Sequence, residues 1–594
     1  MIKKDKIKGK DGSFKTYIRV TEGYRPAPGM SPKQRTLKSF GYLEDQADPV
    51  AFMKLAEAFD ADPTNREQTS SDKMYSGQNQ KLNYGYKFLE SVYQTLGVPD
   101  FIKSYTKDSG FRGSYSIEET FKYLVINRLL APDSNRASVQ RQNAFYGWNP
   151  ELELPNVYRA MDHIADFSAD FQRQLDGKIK TLIGRDLKYA FYDVTNYFFE
   201  IDFPDADGEL RKRGVSKEHR VDPIVQMGLF IDSNGLPVSM SLFPGNTSDT
   251  MTLQPVMKEL KKAYELQRLI VVADKGLNSS KNIDFICQNG DGYVVSQILR
   301  GTKGQRYHEA MLEETGYVWN KSMDYKYKLF TETYSGLDKD NHKETRQRQV
   351  LIYWNKTEAD MARKKREEKL VKADKASRNN AYGIKKGVQE YTKDILVDRA
   401  SGEILQNTKK ISTVDYEKAE KDSWFDGFFC LITSEMDYDA SKIREVYSGL
   451  WKIEESFRIL KSDLLARPVF VSTKEHIQAH FLVCFVALLM LRMIQHAMGA
   501  DALSAERIAR ALYAANCKIK RGGYVDLDDV GGCLAFEKRK NKKGELVNTL
   551  VFSPLDEIAQ DYQRIQKTFG TDFYEVEAKQ ETFTRFLKKI KYPL

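Results

Sequence analysis

Three short runs that are apolar on both faces constrain this chain more than any other feature. "KYAFYDVTNYFFE" (188–200), "RLIVVADKG" (268–276) and "GFFCLITSE" (427–435) read as strands with no face left for water. Such strands need cover on both sides, which puts them inside a sheet with helices packed on it. Around them lie a hairpin with a Ser-Asn-Gly turn, "IVQMGLFIDSNGLPVSMSLF" (224–243), and two helical stretches, 252–267 and 278–289. Asn278 or Ser279 is placed to cap the second. Three antiparallel strands, a helix and a buried strand make an α/β core. Two acids sit awkwardly in it. Asp193 lies in the middle of the first run and Asp274 ends the second. An ionised carboxylate taken out of water costs several kcal/mol unless something pairs with it.

The rest of the chain divides by pattern. Residues 1–75 read as an N-terminal β-hairpin with a Pro/Gly loop, followed by the helix 49–61 and a polar linker. Residues 76–180 are helical and carry Arg128, Arg136 and Arg141, either a DNA-binding face or a solvated one. Residues 291–424 hold short strands around the charged helix 358–378, and the α/β pattern resumes only at 427. The expected core is therefore 181–290 joined to 425–500, interrupted by a β-rich insertion domain, with 501–594 as a C-terminal region.

Composition excludes several classes. The five cysteines are far apart and form no C-x-x-C pair, against both a disulfide framework and a zinc ribbon. The start is charged, without the apolar stretch of a signal peptide. The run "FLVCFVALLMLRMI" (481–494) is shorter than the roughly 20 residues that span a bilayer and contains Arg492, so a buried core helix is expected. A net charge of +9 over 594 residues permits a nucleic-acid partner without demanding one. His476 and His480 have metal-clamp spacing on a helix, but no Glu lies between them; a satisfied or solvent-facing pair is expected. The chain reads as soluble and cytoplasmic, with no membrane partner.

The strongest helical pattern runs from 441 to 466. Ile443, Val446, Leu450, Ile453, Phe457, Leu460 and Leu464 form an apolar stripe. Beside it Tyr447, Glu454 and Lys461 are spaced by seven, nearly in line on a continuous helix. Each acid has an ordinary reading: Asp193 at an edge or bulge, Asp274 capping a loop, Glu454 merely solvated, with Glu455 competing for its place. Three carboxylates converging from two strands and a helix would raise one another's pKa unless cations held them together. Hard divalent cations with oxygen ligands do so, Mg²⁺ above all where phosphates are handled.

With "FYDVTNYFFE", "FPGNTSDTMTL", "VVADKGLNS" and "YSGLWKIEESFRILKSDLLARPVFVSTKEHIQAHFLVCFVALLM", the chain resembles the DDE transposases of bacterial insertion sequences, in the insertion-sequence-four superfamily. The resemblance implies a multidomain α/β protein: a ribonuclease-H-like mixed-sheet core, a β-rich insertion domain and a helical N-terminal region. It implies Asp193, Asp274 and Glu454 as catalytic residues holding two Mg²⁺ ions, with Mn²⁺ able to substitute. Tyr447 and Lys461 match the family's signature around the Glu, and Lys461 would contact DNA phosphate. The signature's Arg position holds Leu450, leaving Lys452 or Arg458 to take its place. The implied partners are double-stranded DNA, as terminal inverted repeats and target, and a second copy of the chain. A nuclease without strand transfer and a non-catalytic DNA-binding descendant are the competing readings.

Overall fold

In the computed structural model, the run containing Asp193 forms β1 (Tyr189–Phe198), in the interior of a nine-stranded sheet. The other strands, in chain order, are β2 (Ile224–Ile231), β3 (Pro237–Pro244), β4 (Ile270–Ala273), β5 (Gly292–Ser296), β6 (Val318–Trp319), β7 (Tyr325–Leu337), β8 (Lys343–Asn355) and β9 (Phe428–Thr433). Their spatial order is β6-β7-β8-β9-β5-β4-β1-β2-β3. β1, β2 and β3 are antiparallel neighbours, whereas β4 runs parallel to both β1 and β5. This large mixed sheet is consistent with the expected ribonuclease-H-like fold. The structure describes residues 2–8, 14–24, 33–45, 49–61, 81–206, 209–218, 220–264, 268–378, 389–396, 410–520, 522–527, 533–540, 546–553, 557–573 and 575–593. The linker expected at 62–80 lies outside them.

The chain resolves into two compact units. One, comprising 89–140, 150–509 and 592–594, contains the whole nine-stranded sheet. The other, comprising 1–88, 141–149 and 510–591, contains a three-stranded antiparallel sheet (Ile2–Lys8, Phe14–Tyr24, Lys33–Tyr42), the helix Pro49–Ala61 and a small four-stranded sheet. Sequence pattern finds only two N-terminal strands. The third, "IKKDKIK", pairs with the second from Ile2↔Val20 to Lys8↔Phe14, and its lysines mask it, as charges do on edge strands.

The sheet's faces are covered differently. Ala190, Tyr192 and Val194 of β1 join a core with Leu253, Val256, Met257 and Leu260 of α1 (Asp249–Tyr264) and Ile283 and Ile286 of α2 (Ser280–Gln288). Ser279 caps α2 by accepting from the Asn282 amide. The opposite face meets α3 (Ala440–Ser448), α4 (Trp451–Arg458) and α5 (Lys474–Met498). Among the described residues α5 is the one helix long and apolar enough to cross a membrane, and 94% of that apolar window is buried. Arg492, the break in its apolar run, donates to Glu455 at 2.8 Å and to Ser456 at 2.9 Å.

The single helix expected over 441–466 is interrupted. α3 ends at Ser448, α4 begins at Trp451, and Ile459–Asp463 form a π turn. At the break Gly449 N donates to Val446 O and Leu450 N to Tyr447 O, the tighter i→i−3 pattern. Packing explains the glycine: a Cβ on Gly449 would lie 2.5 Å from the Phe191 ring. The helix pair thereby lies directly against β1.

Residues 291–424 contribute in two ways. β6, β7 and β8 extend the main sheet through β9. The stretch 356–427 is an excursion that starts and ends on neighbouring rungs: Trp354 pairs with Phe428, and Asn355 N donates to Gly427 O at 3.0 Å. Within it, among the described residues, strands Thr392–Leu396 and Lys410–Val414 pair with each other, and Ala373, Tyr391 and Ala419 form a small core of their own.

Candidate active site

Strand alternation sets where Asp193 points. Phe191, Asp193, Thr195 and Tyr197 share the face of β1 that meets the α3–α5 layer; Tyr197 lies edge-on to Phe481 of α5 at 4.8 Å. The parallel register of β1 and β4 pairs Phe191 with Val272. Two residues further along each chain stand Asp193, mid-strand in β1, and Asp274, just past the end of β4, neighbours on the same face. Asp193 is half-buried, and its carboxyl is pushed up to about 6, first by burial and further by the negative charges of Asp274 and Asp249; Lys217 works in the opposite direction. The Lys217 ammonium donates to the carbonyl of Val194, next to Asp193.

Asp274 is held by two hydroxyls. Its Oδ1 accepts from Ser296 Oγ at 2.7 Å and from Tyr447 OH at 3.2 Å. Ser296 ends β5, the strand parallel to β4, and Tyr447 comes from α3 across the sheet face. Burial, followed by the Asp274 charge among other contacts, raises the Tyr447 phenol well above its ordinary value, so it stays a donor.

Glu454 sits on α4, which packs on β1 and β2, and is exposed; it makes no hydrogen bond or ion pair among the described residues. Its competitor Glu455 is engaged by Arg492. Lys461 lies in the π turn, donating to Glu218 Oε1 at 3.1 Å, and Arg467 donates to the same oxygen. Neither proposed replacement for the missing Arg is unengaged: Arg458 faces Asp463 at 3.6 Å, and Lys452 donates to Ser233 O at 2.6 Å. Leu450 is buried in the apolar stripe.

Sequence pattern offers Asp193, Asp274 and Glu454 as the converging acids; the structure sets Tyr447 on Asp274, and it adds Ser296, Asp249, Lys217, Glu218 and Arg467, which the pattern misses. Asp249 lies within the quoted "FPGNTSDTMTL", and burial raises its carboxyl while Lys217 lowers it. The others carry no local signal; they matter only because the fold places them here.

The donor set fits a hard divalent cation. It is all oxygen, and the burial that chiefly raises the Asp193 carboxyl, with the charges of Asp274 and Asp249 added to it, is what a bound cation offsets. Asp193, Asp274 and Glu454 do not converge tightly in the structure. The trio whose ligand atoms all lie within 4.8 Å, among the described residues, is Asp338, Asp340 and His342 at the tip of the β7–β8 hairpin. There Asp338 accepts from the amides of Asp340 and His342, which organises the turn. The helical histidines diverge: His480 is buried with Nε2 3.1 Å from Ala466 O, while His476 stacks on Tyr158 and pairs with Asp162.

Residues 205–490 match the model of a transposase DDE domain, a span that starts just after Asp193 and includes Asp274 and Glu454. Residues 2–70 match the N-terminal domain of the IS1634 family of transposases. None of the curated proteins matches the chain. Among solved structures it is similar to a chain of the Mos1 transposase paired-end complex with left transposon end, at 12% identity over 33% of this chain and 57% of that one, with a TM-score of 0.14. That match spans little more than half of the Mos1 chain. The two family models lie in order along the sequence and together take in more than half of it, and on that ground the chain belongs to the DDE transposases of insertion sequences.

Proposed function

We propose that this transposase cleaves DNA at the terminal inverted repeats of its own element and joins the freed 3′-hydroxyl to a target strand, working in the cytoplasm as a homodimer that holds two ends. The observation that carries the reading is the register of β1 and β4, which sets Asp193 and Asp274 side by side beneath the helices bearing Tyr447 and Glu454. Asp193, Asp274 and Glu454 are the residues that would hold Mg²⁺, two ions in all, with Mn²⁺ as a substitute. When bound, such a pair activates a water or 3′-hydroxyl and stabilises the leaving oxygen in an in-line attack on phosphorus.

The chain's own groups prepare that chemistry. Ser296 and Tyr447 fix the Asp274 carboxylate by donating to one oxygen, leaving its other oxygen for a cation. Lys217 works against the burial that raises the Asp193 carboxyl. Glu454, unpaired and exposed on α4, supplies the third carboxylate from the helix side. Lys461 contacts a DNA phosphate as a point charge.

The test incubates the purified protein, and its Asp274→Asn and Glu454→Gln variants, with labelled DNA carrying the ends that flank its gene, with and without Mg²⁺. Mg²⁺-dependent nicking at the element boundary, lost in both variants while end binding persists, supports the reading; strand-transfer products extend it to joining. Specific binding without cleavage in Mg²⁺ or Mn²⁺ would leave a DNA-binding descendant instead.

A further inference from the structure

We propose that Lys461 and Arg467 form a single phosphate-binding fork, and that Glu218 is its internal competitor, an anion that a DNA phosphate displaces. The inference rests on the proposed function for the identity of the ligand, a phosphodiester, and goes beyond it in assigning Arg467 and Glu218.

The geometry is specific. One carboxylate oxygen, Glu218 Oε1, accepts from both an ammonium and a guanidinium, as a phosphate oxygen would. The three groups come from separate parts of the chain: Glu218 from the β2-side end of the β1–β2 connection, Lys461 from the π turn after α4, and Arg467 from the strap that follows it. Strand β1 makes their bed. The Lys461 ammonium lies 5.5 Å from the Tyr197 ring centroid, and the Arg467 guanidinium 5.8 Å from that of Phe198. Backbone pairing of Val469 N with Phe198 O, at 3.2 Å, fixes the strap to the same strand end. The cations therefore stand four to five residues along β1 from Asp193, roughly 13–17 Å at strand rise. Arg467 thus supplies near Lys461 the guanidinium that the buried Leu450 cannot.

Glu218 is poorly satisfied in this arrangement. Its second oxygen, Oε2, is buried without a hydrogen-bond partner, and the Lys461 ammonium is held below its ordinary pKa, chiefly by burial. A tetrahedral phosphate, with more acceptor oxygens, answers both cations and keeps others for solvent or backbone. The preceding residue behaves in mirror image, for Lys217 places its ammonium beside the Asp193 carboxylate. Two consecutive residues of one loop thus set a cation against the acids and an anion against the bases. The loop imitates the charge pattern that a cation and a phosphate would bring.

Fluorescence anisotropy on labelled duplexes, in EDTA so that cleavage plays no part, tests this. Two duplexes are used, one with the element's ends and one of unrelated sequence. Glu218→Gln is expected to tighten binding of both roughly three- to tenfold. Glu218→Asp keeps the charge but is too short to serve both cations, and tightens it as well. In a Lys461→Ala, Arg467→Ala background the Glu218 substitutions change nothing, because the competitor has lost its target. A gain from Gln but not from Asp, or one that persists without the two cations, would show a general charge effect and overturn the proposal. Unchanged affinity in a Glu218→Gln protein with unaltered melting would also overturn it. Loss of cleavage with these affinities intact would instead strike at the proposed function alone.

Discussion

Gly449 lies against the ring of Phe191, so close that a methyl group in place of its hydrogen would stand 2.5 Å from the ring carbon. The glycine lets the α3–α4 pair rest on the strand that carries Asp193. Gly449→Ala is expected to cost about 1–3 kcal/mol of stability and to lift Tyr447 and Glu454 from the acids. Melting and end-nicking assays should both show the loss. Adding Phe191→Leu, which clears space, should restore part of each.

The two hydroxyls on Asp274 make a graded experiment. Tyr447→Phe and Ser296→Ala each remove one donor from the same oxygen and leave the ring or the strand in place. Each is expected to lower metal affinity and nicking roughly 10-fold or more, as loss of a supporting hydrogen bond does at metal sites. Titration of Mn²⁺ by electron paramagnetic resonance reads the affinity without relying on turnover.

Restoring the family's Arg should fail here. Leu450 is buried within the helix stripe, so Leu450→Arg takes a guanidinium out of water into apolar surroundings at a cost of several kcal/mol. The expected result is poor soluble yield and no gain in DNA binding; a folded, tighter-binding protein would contradict the burial of this position.

Acidification should weaken the protein through His480. Burial first, then the charge of Arg128, lowers its imidazole from the usual 6.5 to about 3. The folded chain therefore binds fewer protons than the unfolded chain, and this stability, full above pH 6.5, is lost as pH falls toward 3. Between pH 7 and pH 5 the loss is about 2 kcal/mol. His480→Gln, whose amide still donates toward Ala466 O, should flatten that part of the decline in apparent denaturation midpoint.

What could be read from sequence followed local pattern. The runs around Asp193 and Asp274 announce buried strands by composition, and the Ser-Asn-Gly turn announces its hairpin; β1, β2, β3 and β4 appear where those runs lie. The α3–α4 break did not announce itself, because Gly449 is explained by Phe191, a residue on a distant strand. Glu218 and Lys461 are 243 residues apart and Tyr447 and Asp274 are 173 apart. No periodicity encodes such pairings, and only the folded sheet brings them together. The same holds for Glu455, which stands beside Glu454 in sequence and is distinguished from it solely by Arg492 of α5.

The adjacent ends of the 356–427 excursion make that stretch a cassette. The chain leaves β8 and re-enters β9 across a single hydrogen-bonded rung, with Phe425 and Asp426 near its return holding on to the sheet's core and to Trp354. Loop-closure cost grows only slowly with length, which leaves this point in the chain open to lineage-specific gain, loss or exchange. β7 and β8 have no such freedom, since they share the sheet's own ladder. The middle of the excursion can therefore change in length while the strands that carry Asp193 and Asp274 stay as they are.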